Sequence, residues 1–213
     1  MVRTPIVKEG YIYITVLGLV TIIAALNLGA LWAIIPGVLT AFVTFFFRNP
    51  KRAAPDDDSL IMSPADGKVM SITEVYDDQF LNDKGIKVTI FLSVFDVHVN
   101  RSPVQGEIKY QQYTCGRFKP AYKESAACEN ERHAIGLENS KMRVLVTQIA
   151  GILARRIVSW VTLGTVLKQG ERYGLIKFGS CTELIVPTTV EILVSKGDRV
   201  KGGKTVIGRV KEE

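Results

Sequence analysis

The run Lys177-Phe178-Gly179-Ser180-Cys181-Thr182-Glu183 sets a Gly-Ser peptide between two β-rich stretches. Such a pair is ordinarily a turn. It is not a hydrolase elbow, which needs glycine two before and two after the serine; Phe178 and Thr182 occupy those places. A Gly-Ser peptide has another capability. Glycine lacks a side chain, so the bond can be held strained and approached closely. The Ser180 hydroxyl can then attack the Gly179 carbonyl, turning the peptide into an ester. Elimination across the serine breaks the chain, and hydrolysis of the resulting dehydroalanine leaves a pyruvoyl group. This needs a base to activate the hydroxyl and an acid to orient the base. The chain has two histidines, His98 and His133. His98 lies in Phe95-Asp96-Val97-His98-Val99-Asn100, just past an apolar strand, and Asp66 stands in Ala65-Asp66-Gly67. Singly, these read as a hydrogen-bonded, partly buried histidine and a turn-forming aspartate. Together, Asp66, His98 and Ser180 supply an acid, a base and a nucleophile.

Other polar clusters read more plainly. Asp56-Asp57-Asp58 is a run of adjacent acids without ligand spacing, so it is expected to be a solvated turn and no metal site is expected. Asn130-Glu131-Arg132 reads as a surface salt-bridge cluster, and Arg155-Arg156 as an exposed basic pair. The cysteines, Cys115, Cys128 and Cys181, are odd in number, with no C-x-x-C and no histidine at finger spacing. A disulfide framework and a structural zinc are therefore not expected.

These groups need a scaffold. The chain has 213 residues, 47% apolar and 23% charged, which excludes wholesale disorder and low-complexity classes. Its net charge of +6 fits an anionic membrane or an anionic substrate at least as well as nucleic acid, and no nucleic-acid partner is expected. The apolar residues are concentrated at the start. From Tyr11 to Phe47 there is no Asp, Glu, Lys, Arg or His. A single spanning helix needs about 20 residues, so the run is too long for one span, with a single long tilted helix or a re-entrant pair as the alternatives. Asn27 and Gly29 near its middle predict a hairpin of Tyr11–Leu26 and Ala30–Phe47. Arg3 and Lys8 precede it; Arg48, Lys51 and Arg52 follow it. Positive charge at both ends puts both ends on the cytoplasmic side of the cell membrane.

A polar linker, residues 51–62, leads to a body of residues 63–213. There Val69–Val75, Ile86–Val94, Arg143–Ile149, Ile157–Val166, Leu184–Val194 and Thr205–Val210 read as strands, with Gly-bearing turns between them. The expected fold class is mostly β, a flattened β-barrel or sandwich behind an N-terminal apolar helical hairpin. Residues 120–139 read as a short helix or loop. Two hairpins, Ser63–Val69 and Val194–Val200, resemble those of barrels that carry biotin or lipoate, but no acceptor lysine stands at either tip. They suggest a non-enzymatic alternative, a membrane-anchored barrel adaptor.

Taken in order, the pieces resemble a known family. They are the apolar hairpin closing in Phe46-Phe47-Arg48-Asn49-Pro50, then Ser63-Pro64-Ala65-Asp66-Gly67, Val97-His98-Val99-Asn100-Arg101, Asn130-Glu131-Arg132, the run from Gln148 to Arg156, and Phe178-Gly179-Ser180. The ordered set is similar to the phosphatidylserine decarboxylase proenzymes of the short form. The resemblance implies that Ser180 becomes the pyruvoyl residue, that the chain is cut between Gly179 and Ser180, that Asp66 and His98 serve the cut, and that the two products stay associated. It implies decarboxylation of phosphatidylserine to phosphatidylethanolamine with an electron sink built from the chain itself, hence no dissociable cofactor. His98, titrating nearest neutrality, is the expected proton donor. Arg155, Arg156 and Arg132 are the expected phosphate ligands. Arg48, Lys51 and Arg52 would hold the protein against anionic lipid. Oligomeric state is left open, homo-oligomers included.

Two features depart from the longer bacterial relatives. They carry Leu-Gly-Ser-Thr where this chain has Phe-Gly-Ser-Cys. They also have a second histidine three residues before the one matching His98, where Phe95 stands, so a role tied to that histidine is not carried over. Archaeal relatives act on archaetidylserine, which is the alternative substrate.

Overall fold

The computed structural model describes residues 4–55, 57–116, 130–151, 156–177 and 180–211. The chain divides into two compact units, residues 1–51 and 52–213.

The first unit is the hairpin. Helix α1 (Lys8–Leu28) and helix α2 (Ala30–Phe46) are separated by Gly29 alone. Both helices are apolar on every face, and Ile12, Leu19, Ile23, Leu26, Trp32 and Ile35 are exposed. A helix with no polar face has no water-facing side and needs an apolar surrounding. α1 is long and apolar enough to cross a membrane; α2, at 17 residues, is shorter. At 1.5 Å per residue they reach about 31 and 25 Å, against a hydrocarbon core of about 30 Å. The arms are joined by a Thr21–Thr40 hydroxyl contact of 3.3 Å. At the open end, Val7 N donates to Phe47 O (3.0 Å), Asn49 N to Pro5 O (2.7 Å) and Asn49 Nδ2 to Thr4 O (2.8 Å). Both ends of the hairpin are thus tied side by side.

The second unit is built of strands. In chain order they are β1 (Leu60–Met62), β2 (Gly67–Asp77), β3 (Asp83–Leu92), β4 (Val99–Arg101), β5 (Gly106–Thr114), β6 (Arg132–Glu138) and β7 (Arg143–Ala150), followed by β8 (Arg156–Ser159), β9 (Val166–Leu167), β10 (Arg172–Lys177), β11 (Ser180–Pro187), β12 (Val190–Ile192), β13 (Arg199–Val200) and β14 (Val206–Val210). Eight of them form one curled sheet in the order β13-β2-β3-β11-β7-β6-β5-β9. Two three-stranded sheets, β1-β14-β12 and β4-β10-β8, complete the body. Period-two burial defines the inner face. Ile72, Val88, Ile90, Leu184, Val186, Val144, Val146, Ile135 and Leu137 of the large sheet meet Ile61, Ile207 and Val190 of the first small sheet and Tyr173 of the second.

The mostly β expectation and the apolar hairpin hold. Within them, the stretch 157–166 is two strands separated by a turn at 162–165, and 184–194 is broken at Thr188-Thr189. Continuous β propensity cannot mark such corners, because what ends these strands is pairing with different sheets. The ambiguous stretch 120–139 contains strand β6, whose alternate members His133, Ile135 and Leu137 face inward; residues 117–129 lie outside the described set.

Candidate active site

Register alone gathers the candidate residues. Ser180, first in β11, pairs with Leu92 at the end of β3 on one side and with Ala150 at the end of β7 on the other. One residue further along, Lys68 of β2, Phe91, Cys181, Ile149 and Arg132 of β6 form a single row across five strands. The starts of β2, β11 and β6 and the ends of β3 and β7 therefore share one end of the large sheet. Asp66 immediately precedes β2. Gly67 after it has φ 152° and lies against Phe91, where a Cβ would come within 2.1 Å of the carbonyl oxygen; only glycine lets the aspartate turn enter the sheet. The chain leaving β3 reaches His98 six residues past Leu92, and His98 O accepts from Ile176 N of β10 (3.2 Å), four residues before Ser180. Asp66, His98 and Ser180 are thus delivered to the same end by different strands.

Ser180 is 0% exposed, and its Oγ has no hydrogen-bond partner among the described residues. A buried, unbonded hydroxyl costs about 1–3 kcal/mol, so it calls for an explanation. The adjacent thiol is different. Burial, helped by the Glu183 charge, pushes Cys181 up to about 12, so it stays a neutral thiol. His98 is fully buried, with Nδ1 3.0 Å from the Asp96 carbonyl oxygen. A carbonyl only accepts, so Nδ1 carries a proton, and in the neutral ring Nε2 is the nitrogen able to take one up.

Asp66 is engaged elsewhere. Both carboxylate oxygens take the guanidinium fork of Arg52: Nη1 donates to Oδ1, and Nη2 to Oδ2 at 2.7 Å. The Gly202 amide donates to Oδ1 at 2.8 Å. Among the described residues no hydrogen bond joins Asp66 to His98, and the Asp96 carbonyl holds His98 at Nδ1. Arg52, expected to face lipid, is instead buried on Asp66, because an arginine fork finds a planar carboxylate there.

The inner face of the sheet turns polar at this end. Thr182, Gln148 and His133 stand in register on β11, β7 and β6, one pleat beyond Leu184, Val146 and Ile135 of the core. They are strung on one line of donors. Gln111 Nε2 donates to His133 Nε2 (2.9 Å), His133 Nδ1 to Gln148 Oε1 (3.2 Å), Gln148 Nε2 to Asn100 Oδ1 (2.8 Å), and Asn100 Nδ2 to Thr182 Oγ1 (2.9 Å). Gly174 leaves room for the Gln148 carboxamide, which a Cβ would meet at about 3.0 Å. Burial lowers the pKa of His133 below its ordinary value, a shift its bond to Gln148 partly opposes, and the chain of donors requires the neutral ring. Sequence reasoning missed this line. Its signal was present: polar residues at the inward phase of strands that are otherwise apolar.

The remaining candidates divide. Asn130 and Glu131 are not a surface cluster. Both are buried, Asn130 Nδ2 donating to Ala150 O (2.7 Å) and Glu131 Oε1 accepting from Ile157 N (3.1 Å). They stitch the start of β6 to the strand end opposite Ser180. Arg132 falls on the row of Cys181 and Ile149, on the face opposite Ser180. Arg156 is exposed and stands opposite Lys177 in the β8–β10 register. Arg155, Phe178 and Gly179 lie outside the described residues.

Comparison with known proteins agrees with this arrangement. The phosphatidylserine decarboxylase family model matches residues 39–208. The phosphatidylserine decarboxylase proenzyme of Carboxydothermus hydrogenoformans is 50% identical over 205 residues, 96% of either chain. That of Symbiobacterium thermophilum is 47% identical over 210 residues, 98% of this chain and 97% of its own. That of Syntrophus aciditrophicus is 44% identical, covering 95% of this chain and 96% of its own. With the strand-end site, these similarities over nearly the full length mean that the chain belongs to the phosphatidylserine decarboxylase family.

Proposed function

We propose that the chain is the proenzyme of a pyruvoyl-dependent phosphatidylserine decarboxylase, cut by its own chemistry between Gly179 and Ser180. The observation that carries this is the buried Ser180 hydroxyl, which has no hydrogen-bond partner among the described residues, at a strand end that the segment carrying His98 also reaches. The residues fit a pyruvoyl group: it would arise in place, in a buried position, and need no dissociable ligand set.

His98 Nε2 takes the Ser180 proton as Oγ bonds to the Gly179 carbonyl carbon. The carbon–nitrogen bond breaks, the Ser180 nitrogen receives the proton, and the link becomes an ester. Loss of the Ser180 Cα proton with cleavage of Cβ–Oγ then frees Gly179 as a carboxylate. The dehydroalanine left at position 180 takes up water and releases ammonia, leaving the carbonyl. That carbonyl supplies the sink for the electron pair released with CO₂. His98 also returns a proton to the substrate carbon. Arg155 and Arg156, with Arg132 as a more distant candidate, attract the head-group phosphate. Asp66 contributes a buried carboxylate to the cut. The hairpin anchors the protein in the cell membrane with the β body on the cytoplasmic side, and the two product chains stay together through the shared sheet.

Intact-mass analysis of purified protein tests the reading. Two chains are expected, the smaller spanning residues 180–213 with a carbonyl-reactive, amine-free start, together with CO₂ release from phosphatidylserine vesicles. A single species of 23.6 kDa would sink it.

A further inference from the structure

Arg52 and Asp66 form the driest ion pair described in the β body, with side chains 7% and 11% exposed. Besides the fork to Asp66, Arg52 Nη1 donates to Gly202 O at 2.6 Å, while Gly202 N returns a bond to Asp66 Oδ1. Three segments are therefore closed into one knot: the start of the body, the turn before β2, and the turn before β14. A buried ion pair is a poor device for stability alone, since apolar residues of like volume often do as well or better. It is a good device for direction. A carboxylate offers about four acceptor sites. Oδ1 has both filled, by Arg52 and Gly202, and Oδ2 has one filled by Arg52. Among the described residues one site on Oδ2 remains, in a plane that the bidentate fork prevents from turning.

We propose that Arg52 is a positioning residue for the self-cleavage reaction, fixing the plane of Asp66 so that its carboxylate keeps one open acceptor site of set direction. This rests on the reading of Asp66 as a member of the site. Arg52 and Asp66 belong to the larger product and Gly202 to the smaller. The knot therefore spans the cut without depending on the Gly179–Ser180 bond, and the same orientation persists in the mature enzyme.

The test is a two-residue cycle in the full chain, made by cell-free synthesis with phosphatidylcholine vesicles and timed by the appearance of two bands on a denaturing gel. Arg52→Gln is expected to slow the cut at least tenfold, and Arg52→Lys to fall between it and the parent, because an ammonium cannot span both oxygens. Arg52→Gln placed on Asp66→Asn is expected to add less than twofold, since the arginine acts through that carboxylate. A purely structural role would instead multiply the two effects. Folding is followed separately by the thermal midpoint of each variant carrying Ser180→Ala. If Arg52→Gln lowers that midpoint strongly, Arg52→Lys decides: slow cutting at an unchanged midpoint supports positioning, and parental cutting overturns it. Parental cutting in Arg52→Gln, or a full additional factor on top of Asp66→Asn, also overturns it. Parental cutting in Asp66→Asn removes the proposal together with Asp66. Two bands and CO₂ release in that variant would still leave the reading of Ser180 intact.

Discussion

Burial gives Ser180 and Cys181, neighbours at the head of β11, opposite prospects. The hydroxyl is inside with no partner among the described residues, while the thiol is held neutral by desolvation and by Glu183. Cys181→Ala is therefore expected to be cut at close to the parental rate. Ser180→Ala should remain one chain, without CO₂ release, as read by denaturing gel and a lipid assay; cutting in Ser180→Ala would place the nucleophile elsewhere. His98→Ala should accumulate uncut chain. The basic residues are a separate matter, because the cut precedes any need for lipid. Arg156→Gln should leave cutting intact and weaken the dependence of the matured enzyme on phosphatidylserine. Loss of one charge-assisted bond is worth about 1.5–3 kcal/mol, or roughly ten- to a hundredfold. Arg156→Lys should regain less than half if the contact is bidentate. An unchanged lipid dependence would return Arg156 to an ordinary solvated cation beside Lys177.

At the scale of the elements, the inner face of the large sheet changes from apolar to polar within one pleat, and the change is a stability statement as well as a positional one. Gln148→Leu would strand the Asn100 Oδ1 and the His133 Nδ1–H in a dry interior. At about 1–3 kcal/mol for each orphaned group, the proenzyme should lose roughly 3 kcal/mol, visible as a lower midpoint in denaturant. His133 adds a pH dependence. Its ring is buried and neutral, below the ordinary value of 6.5, so the unfolded chain binds a proton that the folded chain refuses. Stability from this group is complete above about 6.5 and is lost as the pH falls toward the folded value. The thermal midpoint of the Ser180→Ala proenzyme should fall from pH 7 to 5, and His133→Gln should flatten that slope. Equal slopes in the two proteins would exclude His133 as the cause.

At the scale of the whole molecule, the apolar hairpin and the β body are separate compact units. The hydrogen bonds that tie Thr4–Val7 to Phe47–Asn49 bring both ends of the apolar run together. The charges at both ends, Lys8 before it and Arg48 and Lys51 after it, agree with a shared aqueous side. Single cysteines placed near residue 4 and in the 53–58 linker, with Cys115 and Cys128 replaced by serine, should label from the same side of sealed vesicles. Labelling from opposite sides would require one span in place of a hairpin.

What was legible in the chain was whatever depends on local pattern. An uncharged apolar run interrupted at Gly29 reads as helices, a hairpin foremost, because in an apolar surrounding its backbone bonds must close internally. Period-two residues such as Val144, Val146, Ile135 and Leu137 declare a half-buried sheet before any pairing is known. The Gly179-Ser180 pair, Asp66 and His98 were visible by type and order. That Asp66, His98 and Ser180 reach one end of a sheet was not, since it comes from the register of β2, β3, β11, β7 and β6, which strand propensity leaves open. The partner of Asp66 was equally hidden. Arg52 sits in a polar, basic stretch that reads as lipid-facing, and only the fold brings the turn at Gly202, 150 residues away, close enough to close a dry pocket around both. The line from Gln111 through His133, Gln148 and Asn100 to Thr182 likewise joins residues up to 82 positions apart. Contacts of that kind are decided by which strands become neighbours, and strand neighbours are set by the burial of the whole core, not by any one segment.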